Sequence, residues 1–164
     1  MDIMIREYRR ADLPFMTEIW NQIVGEGECI PPRRRCSVKQ RQKLFFAGQT
    51  CCGVAQDTES ERILGLYILH PNNVGRCDHI CNASYGVSAD SRGLHIGERL
   101  VKDCMKRAKE QGFRLLQFNA VVASNIHARH LYERLGFEQL GIIRGGFRMP
   151  DGSYEDICPY WRAL

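Results

Sequence analysis

The chain has 164 residues, 44% of them apolar and 26% charged. That is the size and make-up of one globular domain over 1–164, able to bury about two thirds of its unfolded surface without a disulfide or a metal. Its net charge of +4, with Arg33-Arg34-Arg35 as the one dense basic run, argues against a nucleic-acid binder. No apolar run approaches the roughly 20 residues that cross a bilayer, and Met1-Asp2-Ile3-Met4-Ile5-Arg6 is no export leader, so a cytoplasmic protein without a membrane partner is expected.

Taken in chain order, Ile3 to Tyr8 alternates apolar and polar residues and predicts a strand. Asp12 is placed to cap a helix running to about Val24, with Pro14 in its first turn and an apolar stripe of Leu13, Met16, Ile19, Trp20 and Ile23. Gly25 to Cys36 reads as a loop, and Ser37 to Ala47 as a short helix. Cys52 to Gln56, Ile63 to Leu69 and His79 to Val87 are short, rich in β-branched and aromatic residues, and read as strands, with Pro71-Asn72-Asn73 as a turn. Ile96 to Gln111 carries the clearest helical stripe, ended by Gly112. Phe113 to Val122 reads as a strand, and Asn125 caps a further helix with stripe Ala128, Leu131, Tyr132 and Leu135, closed by Gly136. Phe137 to Ile143 and Tyr154 to Trp161 are the last strands, joined through Pro150-Asp151-Gly152. Strands that bracket single helices imply at least one parallel pairing and a mixed α/β sheet.

The 8 cysteines do not fit a disulfide framework or a metal site. The chain is too long for a stapled mini-protein. Cys77-x-x-x-Cys81 with His79 between has no second ligand pair downstream. Reduced thiols and no metal are expected.

Chemistry concentrates in two segments. Val87 to Gly97 joins a strand to the clearest helix. Unpaired amides at a helix start, two glycines (Gly93 and Gly97) that permit close backbone approach, and the charge of Arg92 make an anion site suited to a pyrophosphate. A tight turn with an exposed arginine is the plainer alternative. No Gly-Lys-Ser/Thr follows and the Gly-x-Gly-x-x-Gly spacing is missing, so it is neither a P-loop nor a dinucleotide fingerprint. The second segment is Asn125-Ile126-His127-Ala128-Arg129-His130-Leu131-Tyr132-Glu133-Arg134-Leu135-Gly136-Phe137. On periodicity alone Asn125 is an N-cap and Tyr132 a core residue.

These two segments together resemble the GNAT acetyltransferase superfamily. The first is similar to its acetyl-CoA loop, Val-x-Pro-x-x-Arg/Gln-x-x-Gly-x-Gly/Ala, through Val87, Arg92 and Gly97, with Ala89 in place of the frequent proline and His95 in place of the first pattern glycine. The second matches Asn-x-x-Ala-x-x-Leu-Tyr-x-x-x-Gly-Phe at every specified position. The resemblance implies a GNAT fold, a mixed sheet of about six to seven strands flanked by about four helices. It implies an acetyl-CoA-dependent N-acetyltransferase, and acetyl-CoA as co-substrate. The implied cofactor-binding residues are Tyr85, Val87, Arg92, Gly93, Leu94, His95, Ile96, Gly97, Glu98, Asn125 and Tyr132, with Tyr132 also catalytic as the proton donor to departing CoA thiolate.

Where many relatives, including the phosphinothricin-type enzymes that the late segments resemble, carry a glutamate base, this chain has Asn82. His79, Glu26 and Glu28 are then candidates acting through water, and the expectation is that no single side chain is the base. The resemblance also implies that Glu26 to Arg35 and Arg144 to Tyr160 line the acceptor site, that the acceptor is a small primary amine or amino-acid-like compound, and that a homodimer forms through the C-terminal strands. Alternatives are a protein N-terminal or lysine acetyltransferase and a non-catalytic acyl-CoA-binding module.

Overall fold

The computed structural model describes residues 2–28, 37, 39, 40, 42 and 51–164. Its elements are β1 (Ile3–Glu7), α1 (Leu13–Glu26), β2 (Cys51–Asp57), β3 (Ile63–Pro71), β4 (Ile80–Val87), α2 (Ile96–Glu110), β5 (Leu115–Val122), α3 (Ile126–Arg134), β6 (Glu138–Gln139), β7 (Ile143–Arg148) and β8 (Tyr154–Ala163). The strands form one sheet in the order β1-β2-β3-β4-β5-β8-β6, with β7 also paired to β8. The β4–β5 pairing is parallel and the others are antiparallel. The expected mixed α/β sheet is therefore present, and α2 makes its parallel crossover.

Two details differ from the sequence expectation. The strand expected over 137–143 is two pieces, β6 and β7, both laid along β8, and β7 runs on to Arg148. The β7–β8 register shifts between Ile143 and Phe147, where Gly145 and Gly146 sit. A β-carbon on Gly146 would stand 2.5 Å from Ile157, so only glycine permits this close crossing. Asp12 does begin α1, but its side chain bonds no α1 amide. It turns back to accept from the Arg9 amide at 2.6 Å and from Arg6 at 2.7 and 3.0 Å. The described residues hold three α-helices of the expected four or so; the helix expected over 37–47 falls for the most part outside the described residues, as do Arg33 to Arg35.

Both faces of the sheet are covered. Leu13, Met16, Ile19, Trp20 and Ile23 of α1 pack with Val54, Leu66 and Ile68 on one face. Ile96, Leu100, Val101, Cys104 and Ala108 of α2 pack with Tyr67, Leu69 and Leu116 on the other. β3 is buried on both sides, which is why its sequence reads as a continuous apolar run. Gly112, at φ +89°, stops α2 in the left-handed conformation. The six described cysteines are all free. No helix among the described residues is long and apolar enough to cross a membrane.

The feature that makes a site is where the sheet opens. β4 pairs with β5 only at Ile80–Leu115 and Cys81–Leu116. Beyond these the strands part, while β5 stays on β8 through an irregularity between Phe118 and Val121. A bulge of that kind bends and twists its strand. It swings the carboxyl half of β5 away from β4.

Candidate active site

Three adjoining clefts meet at the carboxyl end of β4. The first, about 370 Å³, fills the gap between the parted strands and takes Asn82, Ser84 and Tyr85 from β4, Phe118 to Val122 from β5, and Asn125 and Tyr132 from the α3 side. Asn125 caps α3, its Oδ1 accepting from the Ala128 amide at 3.2 Å. The Tyr132 ring lies 4.4 Å from Phe118 and 5.7 Å from Phe137, centroid to centroid, and 6.0 Å from Tyr160. Such aromatic packing holds the ring in place by about 1 kcal/mol per pair beyond simple burial. Below the gap, Tyr85 bridges toward Phe118 edge to face at 5.8 Å. Burial drives the Tyr85 phenol well above its usual range, so it stays neutral.

The second cleft, about 350 Å³, lies at the start of α2. A short 3-10 turn, Ala89–Ser91, leads into it. Asp90 is held there by Arg62 and by the Ser88 and Ser91 hydroxyls, which together pull its carboxyl down to about 2. His95 is the residue before α2, at φ 56° and ψ 19°, and makes no side-chain cap. The substituted position thus lies in the left-handed region that favours glycine. The amides of Ile96, Gly97 and Glu98 are helix-start donors without intrahelical acceptors. Gly97 faces Leu131 of α3, which a β-carbon there would meet in ordinary contact at 3.7 Å. Glu98 pairs with Lys102 at 2.6 Å and Arg134 at 3.7 Å. The Lys102 hydrogen bond holds its carboxyl below the usual range.

The third cleft, about 390 Å³, opens beside the end of α1. Ile23, Tyr85 and Val87 give it apolar walls, and Glu26, Glu28, Arg92, Ser124 and His127 give it polar ones. Arg92 donates two hydrogen bonds to Glu26, at 2.7 and 2.8 Å, so its charge is engaged across the loop with α1. The β7–β8 turn abuts the same place, because a β-carbon on Gly27 would lie 2.6 Å from Pro150.

Of the residues expected to bind cofactor, Tyr85, Val87, Arg92, Gly93, His95, Ile96, Gly97, Glu98, Asn125 and Tyr132 line these clefts. Leu94 does not; its side chain is exposed. Asn82 lines the inter-strand cleft, and Glu26 and Glu28 the third. His79 sits at the opposite end of β4, where its carbonyl accepts from the Arg114 and Leu115 amides and starts the β4–β5 ladder; it lines none of the three. None of the described residues 144–160 lines them either, though the Pro150 turn borders the third. Phe118, Asn119, Ser124, His127, His130 and Arg134 were missed. The last three share a helical face at i, i+3 and i+7, and that spacing is the signal that marks them.

An extended molecule with an anionic end fits this arrangement. The β4 edge beyond Cys81 has no strand partner on the β5 side and offers amide pairing to a peptide-like arm. The α2 start offers donors to phosphate. Among the described residues no group of His, Cys, Asp and Glu gathers to hold a metal.

Residues 9–137 match the profile of the Acetyltransferase (GNAT) family. The chain is 40% identical over 153 residues to the N-acetyltransferase aca1 of Schizosaccharomyces pombe, covering 84% of this chain and 72% of that protein. It is 30% identical over 149 residues to an L-methionine sulfoximine/L-methionine sulfone acetyltransferase of Pseudomonas paraeruginosa, covering 86% and 83%. The solved structure of a GCN5-related N-acetyltransferase from Kribbella flavida superposes with a TM-score of 0.91 at 30% identity, over 99% of this chain and 98% of that one.

Proposed function

The chain belongs to the acetyltransferase (GNAT) family and is an acetyl-CoA-dependent acetyltransferase, and from that premise we propose that it acetylates a primary amine of a small, amino-acid-like acceptor by direct transfer with both substrates bound at once. The observation that carries this reading is the parting of β4 from β5 after Cys81. It joins the cleft at the α2 start, the gap between the parted strands and the pocket beside α1 at one point.

Acetyl-CoA supplies an acetyl thioester. The chain's own residues do the rest. The amides from Gly93 to Glu98 hold the diphosphate, with Leu94 contributing backbone only. The β4 edge at Tyr85 and Val87 aligns the pantetheine arm, and Asn125 borders it. The Val87 amide is the donor that polarises the acyl oxygen. Tyr132 holds its proton at the phenol oxygen for the departing sulfur. The third cleft receives the amine, whose nitrogen forms the new bond to carbon as the carbon–sulfur bond breaks. The ammonium proton leaves through water, with no single side chain as base. A small acceptor is supported by the size of that pocket and by the amino-acid analogues for which the Pseudomonas relative is named.

A panel of free amino acids, methionine sulfoximine analogues, peptides and protein lysines tests this by thiol release. Acetylation confined to peptide N-termini or lysines would refute the small-acceptor reading, and cofactor binding without turnover would make the chain a binding module. Tyr132→Phe should lower kcat by about a hundredfold with cofactor affinity unchanged. A homodimer through the C-terminal edge is part of the proposal. Leu140, Ile142, Ile143 and Tyr154 are exposed along β6 to β8, and light scattering at the mass of two chains is the expected result.

A further inference from the structure

α3 turns a basic stripe toward the start of α2. His127, His130 and Arg134 flank Leu131, which touches the place where a Gly97 side chain would be. Leu131 and the stripe thus lie beside the α2 start. All three side chains are solvent-accessible, and with His95 they complete the wall of the second cleft. Over seven residues of helix the stripe spans about 10 Å.

The charges are unevenly committed. Arg92 is engaged by Glu26. Glu98 is the one carboxylate among the described residues that line the cleft, and it is shared between Lys102 and Arg134. Helix-start amides suit a diphosphate that lies along them. A phosphate monoester carries close to two charges and calls for charge-assisted donors from side chains. Coenzyme A has both: a diphosphate, and a monoester on the ribose 3′ oxygen.

We propose that His127, His130 and Arg134 form a separate phosphate-monoester subsite that takes the ribose 3′-phosphate of coenzyme A, so that the protein distinguishes the coenzyme from the same molecule lacking that phosphate. This rests on the diphosphate lying at the α2 start. The stripe is wide enough for a phosphate one ribose away from it. Each of the three residues lines the cleft and carries an N–H donor, and the guanidinium can bind bidentately.

Calorimetric titration of the full chain with coenzyme A and with 3′-dephospho-coenzyme A tests it. The wild type is expected to bind coenzyme A about tenfold or more tightly than the dephospho form, the difference of one charge-assisted contact. In His130→Gln/Arg134→Gln the preference should collapse toward unity through loss of coenzyme A affinity, with dephospho-coenzyme A binding unchanged. Arg134→Lys should keep part of it. Equal affinities in the wild type, or a double variant that weakens both ligands by one factor, would overturn the subsite and leave acetyl transfer standing. Binding of neither ligand would overturn the diphosphate placement and the subsite together.

Discussion

His95→Gly is expected to make the protein more stable. His95 occupies φ 56°, ψ 19°, where a side chain's β-carbon crowds the following carbonyl at a cost of about 1–2 kcal/mol. Glycine removes that cost but loses more backbone freedom on folding, by about 0.5–1 kcal/mol. The net gain is about 0.5–1 kcal/mol, a Tm rise of about 2 °C for a chain of this size. His95→Val should go the other way, because a β-branched residue tolerates this conformation least. Glu61, the other non-glycine residue with positive φ among the described residues, at 59°, lines none of the three clefts, so Glu61→Gly is an internal control with a similar gain. Scanning calorimetry with and without acetyl-CoA separates backbone strain from ligand contact. A His95→Gly protein that melts below the wild type, or a His95→Val protein that melts with it, would refute the strain account.

Three further outcomes follow from contacts away from that residue. Burial alone would raise the Asp12 carboxyl, but the Arg6 guanidinium and the Arg9 amide outweigh it and hold the folded pKa below the usual value; its contribution is therefore present above about pH 4 and lost as pH falls through the lower folded value. Asp12→Asn, which leaves the largely buried Arg6 unpaired, should cost about 3 kcal/mol at pH 7 and flatten the acid limb of the denaturation curve. Burial pushes the Cys52 and Cys81 thiols up to about 12 and raises Cys104 as well, so mass-spectrometric mapping after alkylation at pH 8 should find these three unmodified while exposed Cys77 reacts; labelling of Cys81 at the Cys77 rate contradicts this. His79→Gln should leave turnover unchanged, because His79 starts the ladder at the far end of β4; a lost rate with intact cofactor affinity would restore it as the base.

Local chemistry made much of the site legible in advance. The α2 stripe, the Gly112 stop and the Asn125 cap depend on residues within a turn or two of each other, and each stands where the residues place it. The two motif segments are local as well, and the structure brings them onto neighbouring clefts. What stayed hidden depends on distant partners. That β8 inserts between β5 and β6 is a pairing across some forty residues with no trace in periodicity. The register shift between β7 and β8 depends on Gly146 meeting Ile157. Asp12 turned from helix cap to ion-pair partner because Arg6 from β1 arrives beside it. His79 looked near the chemistry only because strand position was counted without direction.

The engagement of Arg92 by Glu26 ties the clefts into one unit. Val87 and Arg92 line both the phosphate cleft and the pocket beside α1, and His127 faces both from α3. Gly65 and Gly86 fix the junction: a β-carbon on Gly65 would stand 2.8 Å from the Gly86 carbonyl, and one on Gly86 would stand 2.7 Å from Ile23 of α1. β3 and β4 therefore lie backbone to backbone where β4 ends, with the Ile23 side chain of α1 packed against Gly86. With Arg92 committed to the Glu26 carboxylate, Arg134 is the arginine that α3 brings to the cleft at the α2 start. The two clefts are thus joined through one ion pair and through His127, while His130 and Arg134 of α3 line only the cleft at the α2 start.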